Sequence, residues 1–133
     1  MVIGDVRTAL KNALDTIDGL RCYDVFPDSL SPPAAIVGMP TQIIFDTTLM
    51  RSNDTAVFPI RILVGKATDA SAQRRLDVYL QGSGSSSVKE VLETASPGSD
   101  YNVLRVLSAQ GMGVYDYNGV GYLGVEFTVE VVG

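Results

Sequence analysis

Between Ile3 and Ile17 the apolar residues Ile3, Val6, Leu10, Ala13, Leu14 and Ile17 return at steps of three and four. Asp5, Arg7, Lys11, Asn12 and Asp15 fill the positions between them. That spacing follows the helical repeat of about 3.6 residues and predicts an amphipathic helix. Gly19 stands where a left-handed residue closes a helix, so a short strand over residues 20–25 is expected next. Residues 26–33 hold Pro27, Pro32 and Pro33, each of which removes a backbone donor and disfavours helix before it, predicting an ordered loop.

Short apolar runs follow at 34–38 and 41–47, separated by Met39 and Pro40. Residues 56–65 give the clearest mid-chain strand, with Phe58, Ile60, Ile62 and Val64 on one face and Pro59, Arg61 and Leu63 on the other. Pro59 has no N–H to give a ladder, which predicts an edge, a strand start or a bulge there. Residues 48–55 are too long for a two-residue turn and carry Leu49 and Met50, which predicts a projecting hairpin tip.

Thr68 or Asp69 is placed to cap a helix running to about Leu80, with Ala72, Leu76, Tyr79 and Leu80 inward and Gly82 as a stop. Ser87 followed by Glu90 fits the capping box, opening a second helix with Val88, Val91, Leu92 and Ala95 inward and Pro97 and Gly98 at its end. The last third is strand-like over 101–109, 111–117 and 120–132. Asn118 and Gly119 sit between the last two runs, and both tolerate the positive φ of a type I′ turn. Along the final run Leu123, Val125, Phe127, Val129 and Val131 alternate with Gly124, Glu126, Thr128 and Glu130. The predicted fold is α+β: one domain over residues 1–133, with a single antiparallel or mixed sheet and two to three helices packed on it.

A chain of 133 residues has room for one core, and 46% hydrophobic residues against 19% charged ones leave apolar surface that suits a partner as well as a core. A net charge of -5, with ten scattered basic residues, opposes a phosphate-clamping surface. There is no His, so Ser/His, Cys/His and common zinc arrangements have no base or ligand to use. Cys22, the one cysteine, has no partner for an internal disulfide and fits a small buried hydrophobe. No signal-like opening or membrane-length apolar run occurs, which predicts a cytoplasmic chain unless a particle carries it out.

The carboxylates Asp24, Asp28, Asp46, Asp54, Asp116, Glu126 and Glu130 flank turns or lie on a polar strand face, where local hydrogen bonding and solvation account for them. Neither a catalytic nor a metal site is expected of them, and no cofactor. Residues 82–87 with Lys89 resemble a phosphate loop only loosely: a helix precedes them, and Val88 separates the serines from the lysine. The glycines 111, 113, 119, 121 and 124 fall within the terminal hairpin, predicting bulges or close backbone approach. Tyr115, Tyr117 and Tyr122 gather around the predicted turn without interleaved basic residues, which fits cross-strand packing or a protein-interface anchor.

In order along the chain, the opening helix is followed by the segments Tyr23 to Asp28, Pro32 to Gly38, Phe58 to Gly65, Leu76 to Leu80 and Gly121 to Val132. This order resembles the tail terminator (tail completion, or neck) proteins of long-tailed bacteriophages, especially those infecting actinobacteria. The resemblance spans nearly the whole chain and rests on packing patterns.

It implies a non-enzymatic virion protein, made in the host cytoplasm and placed at the tail-neck region. Such a protein forms a ring of six copies that caps the tail tube, stops its elongation and joins the tail to the head connector. Its partners would be further copies of itself, the tail tube protein and the head-closure protein, with DNA passing through the lumen without sequence-specific binding, and no membrane. Residues Leu49, Met50 and Arg51, with Tyr115, Tyr117 and Tyr122, are the expected contact residues. The alternatives are another neck or tail ring component, such as a head-closure or tail tube protein, and a small-molecule-binding α/β domain or carboxylate enzyme.

Overall fold

The computed structural model describes residues 1–45, 53–66 and 68–133. Among the described residues, six strands form one mixed sheet and three helices pack on one face of it, an α+β fold. The elements run α1 (Ile3–Leu14), β1 (Arg21–Tyr23), β2 (Ala34–Val37), β3 (Gln42–Ile44), β4 (Thr55–Lys66), α2 (Ala70–Tyr79), α3 (Val88–Thr94), β5 (Val103–Tyr117) and β6 (Val120–Val132). The sheet order is β1-β2-β4-β6-β5, with β3 pairing β4 beyond the end of β2. Among the described strands β1 and β2 pair parallel, and the other pairings are antiparallel.

The alternation in β4 decides which face is covered. Phe58, Ile60, Ile62 and Val64 are fully buried beneath the helices, joined by Val125, Phe127, Val129 and Val131 from β6. From the helices come Val6, Leu10 and Leu14 of α1, Ala72, Leu76 and Tyr79 of α2, and Val88 and Leu92 of α3. Burying each large side chain contributes about 1.5–3 kcal/mol, so this single cluster is the main source of stability.

Several boundaries depart from the sequence pattern. Helix α1 stops at Leu14, with Asp15 as its C-cap, and Gly19 supplies a positive φ of 78° in the turn that follows. Ile17 is nevertheless buried, because the turn folds it back onto the same core. Pro59 lies within the central strand β4, opposite Thr128 of β6. Its carbonyl accepts from Gly38 N at 2.9 Å, on the side where β2 has ended and β3 has not begun. In an extended residue N and C=O point the same way, so the missing N–H falls in that gap and no ladder bond is lost. Residues 48–55 overlap the segment outside the described residues, and Thr55 already belongs to β4.

Asp69 caps α2, accepting from Ser71 N at 2.9 Å. Ser87 caps α3, accepting from Glu90 N at 3.2 Å, but the return arm of the capping box goes elsewhere: the Glu90 carboxylate accepts from Gly84 N. The turn at Asn118 and Gly119 has φ of 51° and 81°, the paired positive values of a type I′ turn. The two runs expected over 101–117 are one continuous strand, β5, with register shifts between Val106 and Ser108 and between Gln110 and Gly113.

Candidate interaction surface

The sheet face away from the helices carries its own side-chain row, Tyr23, Ile36, Arg61, Glu126 and Gln110, one from each strand of the main path. Arg61 and Glu126 sit opposite one another and form an ion pair at 3.3 Å. The Arg61 guanidinium also lies 4.6 Å from the centre of the Tyr115 ring, where the ring's negative face attracts it. The pair is partly exposed, and ion pairs of that kind contribute no more than about 1 kcal/mol.

The three tyrosines around the turn do come together. Tyr115 and Tyr122 are direct cross-strand neighbours, and Tyr122 is buried with Ile36 and Leu63 in a second, smaller apolar cluster. Tyr23, Leu30, Tyr117 and Val120 pack against it, so the loop after β1 and the tip of the β5–β6 hairpin meet over this face. Tyr117 Oη donates to Pro27 O, and Asn118 Nδ2 donates to Asp28 O at 2.7 Å. The packing surface of Tyr122 and the hydroxyl of Tyr117 are thus used within the chain. Leu49, Met50 and Arg51 lie outside the described residues.

Beside this cluster is a recess of about 200 Å³ lined by Phe26, Ile36, Gly38, Pro59, Arg61, Tyr117 and Glu126. A larger, open groove of about 520 Å³ runs between α2 and the hairpin, lined by Leu76, Leu80, Met112 and Leu123 with Asp69 and Asp77 among its polar residues. The β5 bulges shape that side of the molecule. Leu107 is the extra residue of the first bulge, while Gly111 and Met112 together face a single β6 residue in the second. Extra residues leave the regular alternation, and Leu107 and Met112 are both exposed.

Among the described residues the acidic candidates do not converge. Glu126 pairs with Arg61, Asp24 accepts from Thr8 Oγ1, Asp54 exchanges backbone bonds with Gly133, and Asp46 lies outside the described residues. Among the described residues no three His, Cys, Asp or Glu side chains gather in a way that could hold a metal ion. Glu93 is held below the usual carboxylate range by its hydrogen bond with Lys89 and by the N–H of Val106, which ties α3 to β5. Cys22 is buried, and its thiol is pushed up to about 12, first by burial and then by the hydrogen bond and charge of Asp15. No helix among the described residues is long and apolar enough to cross a membrane.

Phe26, Met39, Leu107 and Met112 are among the exposed apolar residues that the sequence pattern did not single out. Phe26 and Met39 sit beside prolines in loops, and the other two owe their exposure to bulges that only the β5–β6 register reveals. Compared with known proteins, the chain matches no family model and no curated protein sequence.

Proposed function

We propose that this protein is a structural subunit of a long-tailed phage particle, a tail terminator whose six copies form a ring on the end of the tail tube. The ring occupies the position where the next tube layer would add, which ends elongation, and its other side meets the head connector. DNA passes through the lumen without being read, consistent with a net charge of -5 that discourages phosphate binding. The reading is supported by the resemblance along nearly the whole sequence and by an α+β fold of the expected kind.

The observation that carries it is the set of exposed apolar side chains left outside a well-filled core. Phe26, Phe45, Met112 and Val114 are each more than half exposed, on loops and strand edges where a lone soluble subunit gains nothing from them. Native mass spectrometry of the purified protein, and negative-stain microscopy with tail tubes added, test the reading. Six-membered rings that sit on tube ends are expected; a strict monomer that ignores tube ends would end it.

A further inference from the structure

Asn118 is the one asparagine of the chain that precedes a glycine; Asn12, Asn53 and Asn102 precede Ala13, Asp54 and Val103. The difference is chemical, because glycine has no side chain to keep its N–H away from the carboxamide carbon of the residue before it. Attack by Gly119 N on Asn118 Cγ forms a C–N bond and closes a succinimide. Nδ2 leaves as ammonia, taking up the proton that Gly119 N gives away. Water then opens the ring at either carbonyl, leaving an aspartate or an isoaspartate in place of Asn118. Asn118 and Gly119 are both exposed, and a Cβ added at Gly119 would meet nothing within 4 Å, so the site is open to water.

The Asn118 carboxamide also holds the fold together. Its Nδ2 donates to Asp28 O at 2.7 Å, beside the bond from Tyr117 Oη to Pro27 O, and the two bonds latch the β5–β6 tip onto the loop after β1. Beneath them Tyr117, Val120, Tyr23 and Leu30 pack on the cluster of Ile36, Leu63 and Tyr122. A carboxylate only accepts hydrogen bonds, so it cannot take the place of Nδ2 opposite a carbonyl oxygen. It would also add negative charge beside Asp28, whose own charge already acts on the tip: the Tyr117 hydroxyl is raised first by burial and then by Asp28. An isoaspartate disturbs more, since it adds a carbon to the backbone of a two-residue turn.

We propose that Asn118 is a site of spontaneous deamidation and that its conversion unlatches the hairpin tip from Pro27 and Asp28. While Nδ2 is held by Asp28 O the carboxamide is pinned, so attack waits on local openings of the tip. The product cannot close the latch again, which makes the change one-way: the tip of an aged molecule is looser than that of a new one. On the direct aspartate route the turn itself survives, because Asp-Gly suits a type I′ turn as Asn-Gly does. What is lost there is the latch.

The test stores the purified protein at mildly alkaline pH for weeks, beside Tyr117→Phe, which removes the neighbouring latch bond, and Asn118→Asp, which is the direct product. Peptide mapping should find the amide at 118 replaced by acid, partly as isoaspartate, with Asn12, Asn53 and Asn102 intact. Conversion should be several-fold faster in Tyr117→Phe. Hydrogen exchange of Asn118→Asp should quicken several-fold at residues 28–30 and 115–121 and stay unchanged in α1 and α3, which also shows that the variant folds. An amide at 118 that persists in the folded protein while the denatured chain converts overturns the site. Equal conversion in Tyr117→Phe, or exchange in Asn118→Asp that matches the unchanged protein, overturns the latch.

Discussion

Two glycines and one cysteine show how much a single position fixes. Gly119 has φ of 81°, a conformation that a β-branched residue resists, so Gly119→Val should destabilise the protein by about 1–3 kcal/mol. Chemical denaturation checks this, and an unchanged midpoint would remove the turn from the account. At Gly124 the reason is contact: an added Cβ would lie 2.4 Å from Ile62 O and 2.7 Å from Leu63 Cδ2. The positive-φ role of Gly119 was legible, because an Asn-Gly pair between two alternating runs has few other uses. The crowding at Gly124 was legible only as glycine density, since the approaching carbonyl comes from a strand some sixty positions earlier and depends on register.

At Cys22 the protonated thiol is favoured by folding, with a folded value of about 12 against an ordinary 9.0. The stability it contributes is fully present below pH 9 and is lost as pH rises from there toward 12. Tyr79 and Tyr101, both raised by burial, act in the same direction. Denaturation midpoints should therefore fall across that alkaline range. Replacing Cys22 with Ala should flatten part of the fall, and an equal fall in both proteins would assign it elsewhere. Thiol labelling at pH 8 should be slow in the folded protein and rapid in denaturant.

Among the elements, the short helix α3 depends most on its cap. Ser87 is almost wholly buried, accepts from Glu90 N and donates to Gln81 O, joining the end of the α2 region to the start of α3. Ser87→Ala should cost about 1–2 kcal/mol, more than an exposed cap, because the Gln81 carbonyl also loses its donor. Thermal melts of Ser87→Ala beside Asp69→Ala, which alters the solvent-facing α2 cap, check the order: the first should be the more harmful. The caps themselves were readable from residue type and spacing. The single long β5 was not, because its two bulges break the alternation that would have joined the runs 101–109 and 111–117 into one strand. Pro59 misled for a similar reason, since its gap exists only through the relative placement of β2 and β3.

For the whole molecule, the sequence carried the fold class because nearly every strand and helix announces itself by period. Its surface was harder to read. Tyr122 is conspicuous by position yet lies buried in the chain's own second cluster, while Phe26 and Met112 stand outside without any marking in the local pattern. Burial of a given side chain is a property of the assembled sheet, and its edge strands become visible only when the strand order is known. The core leaves a clear expectation at this scale too: Phe58→Ala, at a fully buried position, should cost about 3–5 kcal/mol and lower the melting temperature of monomer and assembly alike. The central claim is that the apolar surface left over exists for self-assembly into a tail-capping ring. Native mass spectrometry of the unchanged protein across a range of concentrations tests it most directly. The account predicts a closed species of six subunits with few intermediates, and a protein that remains monomeric at every concentration would contradict it.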